Sequence, residues 1–146
     1  MKPRKDALVV DASVAVKLFL PEELADRAEQ IFSLMDADDP SVIFVPELFF
    51  LECANVFRSR CKLRAMKPDE AKAALEILHS LPLQSLSMKE LSGMALDLAL
   101  EHDLSVYDAC YLAAAAYIKG TLVTADRKLV RKLIGSEHHV IWLGEW

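Results

Sequence analysis

Short apolar runs alternate along the chain with longer segments in which apolar residues recur every three or four positions. The runs are rich in Val, Ile and Leu and lack polar alternation, which predicts strands buried on both faces. The predicted strands cover residues 8–10, 42–45, 121–124 and 140–142, with a weaker one at 83–87. Strands separated by helices favour an α/β fold, a three-layer α/β/α sandwich with a parallel central sheet of about five strands.

The segments between the strands carry the periodicity and the end signals of helices. The predicted helices cover residues 11–20, 22–35, 46–60, 88–102, 105–119 and 126–134, and another begins at residue 68. Pro21 ends the first helix, and Gly120 and Gly135 are expected to close the last two at the C′ position. The helix over 46–60 is apolar nearly all round in its first half, so we expect that half to be largely buried. The acidic stretch 36–40 is typical of a solvated loop.

Composition narrows the class of protein. The chain has 146 residues, 53% of them hydrophobic, and a net charge of −5. These values predict one domain over residues 1–146 with a packed core, and they argue against disorder and against a basic nucleic-acid coat. Three cysteines without close pairing favour a reducing, cytoplasmic location. The longest uncharged apolar run, 109–118, is too short to span a bilayer.

Four acidic residues are notable for their positions. Asp11 and Asp126 follow two predicted strands, Asp108 lies near the start of a helix, and Glu52 lies within an apolar helical stretch. The three aspartates have an equally simple structural role, because Asp is favoured at helix N-termini and Ser105 precedes Asp108 at capping-box spacing. Glu52 differs, since burying an unpaired carboxylate is costly. It either faces solvent through a gap in the packing or has a cation, and we favour the cation.

Together the four acids predict a metal site at one rim of the sheet, where open α/β folds bind their ligands. Converging carboxylates repel one another unless a cation compensates, and oxygen ligands without a Cys/His set select Mg²⁺ or Mn²⁺. Such an ion activates water and offsets charge on a phosphodiester, which favours a metal-dependent nuclease. Ser13 and Thr124 stand beside two of the acids, and each hydroxyl either serves the site or bonds the local backbone.

Basic residues are grouped although the chain is acidic overall. The two groups are Arg58, Arg60, Lys62, Arg64 and Lys67, and Arg127, Lys128, Arg131 and Lys132. Each group is either an ordinary solvated helix face or a set of phosphate contacts. The RNA-binding candidates are Lys17, Arg58, Arg60, Arg127 and Lys128.

Four segments resemble, in order, the motifs of the PIN-domain family and in particular of its VapC-type toxins from toxin–antitoxin pairs. They are 9–14 (VVDASV), 52–57 (ECANVF), 106–113 (VYDACYLA) and 122–129 (LVTADRKL). No single motif is specific, whereas four in order over nearly the whole chain are fairly specific.

The resemblance implies an α/β/α sandwich and a Mg²⁺- or Mn²⁺-dependent endoribonuclease. By position, it implies a catalytic and metal-binding cluster of Asp11, Glu52, Asp108 and Asp126. Ser13 and Thr124 would support this cluster. Asn55 would be a packing residue or would contact the metal ligands without binding the metal itself. The resemblance further implies an RNA substrate, a small VapB-type antitoxin as partner and a homodimer.

Other functions remain open at this point. PIN domains also occur in RNA-processing enzymes outside toxin–antitoxin pairs. A phosphatase with Asp11 as nucleophile is disfavoured, because Ser13 occupies the position where haloacid-dehalogenase-like enzymes have a second Asp. A non-catalytic RNA- or protein-binding module is disfavoured by four acids at one rim, since gathered carboxylates cost stability. A purely structural domain leaves Glu52 without a role.

Overall fold

The computed structural model describes residues 7–38 and 40–146, and a five-stranded sheet runs through them. The strands are β1 (Ala7–Val10), β2 (Val42–Pro46), β3 (Gln84–Leu86), β4 (Thr121–Thr124) and β5 (Val140–Trp142). Their order across the sheet is β3-β2-β1-β4-β5, and all four pairings are parallel. The predicted α/β fold and its parallel sheet of about five strands are confirmed. The prediction of one domain over residues 1–146 stays a prediction.

Both faces of the sheet are covered. Leu8, Val9 and Val10 of the central strand β1 are all nearly inaccessible to solvent. Because successive side chains of a strand point to opposite faces, their burial requires helices on each side. The helices are α1 (Ala12–Ala15), α2 (Ala25–Ser33), α3 (Leu48–Lys62), α4 (Pro68–Ser80), α5 (Met88–His102), α6 (Val106–Ile118) and α7 (Arg127–Lys132). None of the helices in residues 7–38 and 40–146 is both long enough and apolar enough to cross a membrane.

Helix α6 is the central helix of the fold. It packs against α5 and against β1, β2 and β4, and its residues 109–115 are all buried. Four of these seven are alanines, whose small side chains let the helix lie close to its neighbours. The N-terminal end of α6 is thereby fixed at the carboxyl end of the sheet.

The predicted helix over 11–20 is shorter and tighter in the structure. After α1 the chain continues as a 3-10 turn, Val16–Leu18, and α2 begins only at Ala25 because Leu24 has a left-handed backbone, φ 67°. Helix α3 begins at Leu48, since Pro46 still pairs within β2. Asp36, the first residue of the predicted loop 36–40, ends a second 3-10 turn, Leu34–Asp36; residue 39 lies outside the described residues.

The two glycines predicted at C′ positions have different roles. Lys119, not Gly120, takes the left-handed conformation after α6, with φ 54°. Gly120 is required for space, because a Cβ there would lie 2.5 Å from the Ala7 carbonyl oxygen. Gly135 does have a positive φ of 83°, but α7 has already ended at Lys132. Both predicted helix ends were therefore too late.

Candidate active site

The side chain of Asp11 follows β1 directly and is 7% exposed. Its Oδ2 accepts a hydrogen bond of 2.8 Å from the Thr124 hydroxyl, and its Oδ1 accepts one of 3.2 Å from the Ser13 amide. Asp11 is also the N-cap of α1. Asp11 therefore does have the helix-capping role that the sequence offered as its structural alternative.

The hydroxyls of Thr124 and Ser13 link the carboxyl ends of β1 and β4, which are neighbours in the sheet. Besides donating to Asp11, the buried Thr124 hydroxyl accepts a hydrogen bond of 3.1 Å from the Asp126 amide. The Ser13 hydroxyl accepts one of 3.1 Å from the Ala125 amide. These bonds fix the segment 124–126 relative to Asp11, so both hydroxyls help to position the acids.

Glu52 is half-buried on α3 and has a partner that the sequence reasoning missed. Its Oε2 accepts a hydrogen bond of 2.7 Å from the hydroxyl of Tyr111, which is 1% exposed. The sequence did contain a signal for this pair, because Tyr111 lies in the apolar stretch 109–116 of α6 and a buried tyrosine hydroxyl usually finds a partner. In the first half of α3, Phe49 and Cys53 are fully buried as expected, whereas Leu51, next to Glu52, is 72% exposed.

The other two acids lie at helix N-termini. Asp108 is in the first turn of α6, where its amide donates to the Ser105 hydroxyl at 3.1 Å, as the capping pattern predicts. Asp126 is the N-cap of α7, and its Oδ1 accepts from the amides of Lys128 and Leu129 at 2.9 and 3.3 Å. Among the described residues, no hydrogen-bond donor contacts the second oxygen of Asp126.

One open cavity of about 540 Å³ brings these acids together. Its lining includes all four predicted acids, with Ser13 and Asn55 beside them. Asn55 is exposed at this cavity, so its prediction as a packing residue is wrong. Thr124 lies behind Asp11 and does not line the cavity. None of the described residues that line it is a lysine or an arginine. We call it the acidic cavity.

Burial and mutual repulsion disfavour the charged forms of these carboxyls. Burial raises the pKa of Asp11, and nearby Asp108 raises it further, against the opposing hydrogen bonds from Thr124 and Ser13. Burial also raises the pKa of Glu52, as do Asp11 and Asp108, while the Tyr111 hydrogen bond lowers it. The pKa of Asp108 is raised by burial and by Asp126.

The donor set fits a hard divalent cation. All four groups are carboxylates, and a dication between them would offset the repulsion that raises three of their pKa values. Within residues 7–38 and 40–146, however, no three His, Cys, Asp or Glu side chains have the spacing of a preformed metal site. An ion shared by these acids would therefore need the carboxylates to draw closer, within the limits set by the hydrogen bonds that hold Asp11 and Glu52.

The predicted RNA-binding residues divide into two sets. Lys17, Arg127 and Lys128 line a second cleft, whose wall shares Asp126 with the acidic cavity. Arg60 instead pairs with Glu22, and the exposed Arg58 lines neither of the two cavities. Lys17 and Arg60 nevertheless share the partner Glu22, so the two sets do not coincide with the two basic groups in the sequence.

Comparison with known proteins agrees with this arrangement. Residues 8–133 match the sequence model of the PIN domain, a range that contains all four acids. The chain belongs to the PIN-domain family. A curated relative, Ribonuclease VapC3 of Pyrobaculum aerophilum, is 36% identical to this PIN domain over 127 residues, covering 86% of this chain and 93% of the relative.

Solved structures have the same fold at lower identity. The complex VapBC2 of Rickettsia felis, bound to a DNA fragment from its promoter, contains a chain with TM-score 0.68 and 14% identity, covering 93% of this PIN domain and 98% of that chain. The Mycobacterium tuberculosis toxin VapC20, which cleaves the sarcin–ricin loop, has TM-score 0.65 and 19% identity, with coverage of 85% and 93%. At these identities the likeness shows the PIN-like fold.

Proposed function

We propose that this PIN domain is a Mg²⁺- or Mn²⁺-dependent endoribonuclease that cleaves RNA phosphodiester bonds with water. The observation that carries the proposal is the acidic cavity, in which Asp11, Glu52, Asp108 and Asp126 face one space. Membership of the PIN-domain family and the 36% identity to a protein named a ribonuclease support it.

In this proposal the four carboxylates hold the metal. When bound, a divalent ion supplies Lewis acidity and offsets negative charge at a phosphodiester under attack by water. The metal also removes an obstacle to binding, since four ionised acids repel a polyanionic substrate.

The remaining residues hold the carboxylates in place. Thr124 and Ser13 fix both oxygens of Asp11, so that this side chain cannot rotate freely. Tyr111 holds Glu52, and burial raises the pKa of the Tyr111 hydroxyl far above its usual value. The hydroxyl thus stays protonated near neutral pH and donates to Glu52.

We further propose that the enzyme is the toxin of a VapBC-type pair, cytoplasmic and homodimeric, inhibited by a small VapB-type antitoxin. Structural neighbours that are toxin–antitoxin complexes, such as one from Klebsiella pneumoniae with TM-score 0.63, support the antitoxin. An RNA-processing role is the alternative. Expression of the chain should arrest growth, and a small protein encoded beside it should restore growth; unimpaired growth would favour RNA processing.

The nuclease proposal is tested by cleavage of a mixed structured RNA with Mg²⁺ or Mn²⁺, against an EDTA control. Asp11→Asn, purified identically, removes one charge at nearly constant volume and should lose at least about two orders of magnitude in rate. Cleavage by the parent that persists in Asp11→Asn would place the activity elsewhere or in a contaminant. Absence of cleavage together with absence of Mg²⁺ binding by calorimetry would reject the proposal.

A further inference from the structure

A second cleft of about 760 Å³ adjoins the acidic cavity, and Asp126 stands in the wall of both. Three cations line this cleft, together with a tryptophan: Lys17, Arg127, Lys128 and Trp142. Glu23 and Asp126 supply its acids, so cations are in excess there. We call it the basic cleft.

The two cavities have opposite charge, which matters for a polyanion. The described lining of the acidic cavity contains four acids and neither lysine nor arginine. A phosphate chain that enters it gains attraction only from a bound cation and from basic groups alongside. Arg127 follows directly after Asp126, so the basic cleft is where the adjoining part of such a chain meets positive charge.

Arg127 is oriented by an aromatic ring and not by an acid. Its guanidinium carbon lies 3.9 Å from the centroid of the Trp142 ring. Stacking of this kind holds the plane of the guanidinium while leaving its N–H edge free for a bidentate anion. Within the described part of the chain, neither Arg127 nor Lys128 forms an ion pair.

Lys17 has a different role. Its ammonium donates to Glu22 at 3.4 Å and to the Glu23 carbonyl at 2.9 Å. These contacts hold Lys17 at the wall of the cleft and partly neutralise it. Arg127 and Lys128 are therefore the groups with free donors for a ligand.

The position of Trp142 is fixed by the sheet and by a glycine. Trp142 pairs with Thr124 across β4 and β5, which brings the indole to the same sheet edge as the acids. A Cβ on Gly144 would lie 2.2 Å from two indole carbons, so only glycine leaves room for the ring in this place. Trp142 and Gly144 both lie beyond residues 8–133, the range matched by the family.

We propose that the basic cleft is a phosphate-binding subsite that holds the RNA strand beside the acidic cavity, with Arg127 and Lys128 as its contacts and Trp142 as a positioning residue. This inference rests on the proposed nuclease function. A phosphate held there places the neighbouring phosphodiester beside Asp126 and the other acids.

The test measures binding of a short single-stranded RNA to the full chain over a salt series. Arg127→Ala should weaken binding roughly tenfold at low salt and reduce the slope of log affinity against log salt by about 0.7. Gly144→Ala, which displaces the indole without touching a charge, should weaken binding about threefold and leave the slope unchanged. Arg131 is an exposed arginine on the same helix α7, so Arg131→Ala is the matched control and should change the RNA affinity only slightly.

A second readout locates the RNA. The chain has two tryptophans, so Trp146→Phe leaves Trp142 as the single indole fluorophore. RNA that enters the basic cleft should change this fluorescence at the same concentration at which anisotropy reports binding. Binding without a fluorescence change, or with equal losses for Arg127→Ala and Arg131→Ala, would overturn the subsite.

Binding of poly-glutamate tests whether the basic cleft takes an acidic protein segment instead of RNA. If it binds and changes the fluorescence while RNA does neither, the basic cleft is a site for an acidic protein segment, and the RNA subsite is wrong. Failure of the nuclease proposal is distinguishable, because the parent chain then cuts no RNA with any metal, whatever Arg127→Ala does to binding. Cleavage that is normal in Arg127→Ala at all RNA concentrations would reject the subsite and leave the nuclease intact.

Discussion

Asp11 is placed where a carboxylate is costly for folding and useful for chemistry. It is almost fully buried, and its two protein donors only partly compensate for lost hydration, since its pKa is still raised. Above that pKa the metal-free fold holds a charge that the unfolded chain keeps in water. Active sites commonly carry such local instability, and removal of the charge commonly stabilises them.

We therefore expect Asp11→Asn to abolish cleavage without destabilising the protein. An asparagine oxygen still accepts from the Ser13 amide, but its NH2 group removes the acceptor of the Thr124 hydroxyl. Loss of that hydrogen bond offsets the gain from removing a buried charge, so the free energy of unfolding in EDTA should change by less than about 1 kcal/mol near pH 7. Urea unfolding measures it. The exposed Asp97→Asn is the matched control and should change neither property. A loss above about 2 kcal/mol in Asp11→Asn would mean that its charge stabilises the fold.

Tyr111 offers a test of the Glu52 carboxylate. The hydrogen bond from Tyr111 lowers the pKa of Glu52 against burial and two neighbouring acids. In Tyr111→Phe that opposing effect is lost, so the pKa of Glu52 rises and the acidic limb of the pH–rate profile moves to higher pH. Tyr117→Phe, an exposed tyrosine on the same helix, should leave the profile unchanged. An unshifted profile in Tyr111→Phe would exclude Glu52 from the step that limits the rate.

At the scale of elements, the carboxyl ends of β1 and β4 define the site, and α3 and α6 bring the other acids to it. The sequence predicts the strands well, because short continuous apolar runs bounded by acids and turns are typical of strands buried on both faces. It predicts helix ends poorly. Leu24 and Lys119 adopt the left-handed backbone, which glycine and asparagine favour, so neither residue signals a helix boundary in the sequence.

Two helix-associated glycines give opposite predictions. Gly120→Ala places a Cβ 2.5 Å from the Ala7 carbonyl oxygen in β1, and backbone cannot move aside cheaply, so the free energy of unfolding should fall by about 1–3 kcal/mol. Gly93→Ala adds a Cβ to the middle of α5 with nothing within 4 Å, so it should stabilise the protein by about 0.5–1 kcal/mol. Thermal unfolding of both variants measures the pair. Equal effects of the two alanines would show that close approach is not the reason for Gly120.

At the scale of the whole molecule, the acidic cavity joins residues from four distant parts of the chain. Their convergence follows from a parallel sheet, because strand ends meet at one edge, so the sequence alone predicts that Asp11 and Asp126 are neighbours. The partners of the acids do not follow from it. That Tyr111 reaches Glu52, and that Arg60 pairs with Glu22, depends on how α3 and α6 are rotated in the packed core.

The charge of the acidic cavity should also make the free energy of unfolding depend on pH. The pKa values of Asp11, Glu52 and Asp108 are raised above ordinary values of 3.8 for Asp and 4.5 for Glu. The folded state therefore holds more protons than the unfolded state above those values. The stability that these groups contribute is full below the ordinary values and is lost as pH rises through the folded pKa values.

In EDTA, the melting temperature should accordingly fall as the pH rises above the ordinary carboxyl pKa values, and more steeply for the parent than for Asp11→Asn. Mg²⁺ binds the ionised acids of the folded state, so it should reverse the fall and add about 2–3 kcal/mol at a hundredfold excess over its dissociation constant. At matched ionic strength, Mg²⁺ should stabilise Asp11→Asn much less. If Mg²⁺ stabilises both proteins equally, the ion does not bind at Asp11. If the melting temperatures of the two proteins depend on pH in the same way, Asp11 does not contribute to the pH dependence of stability.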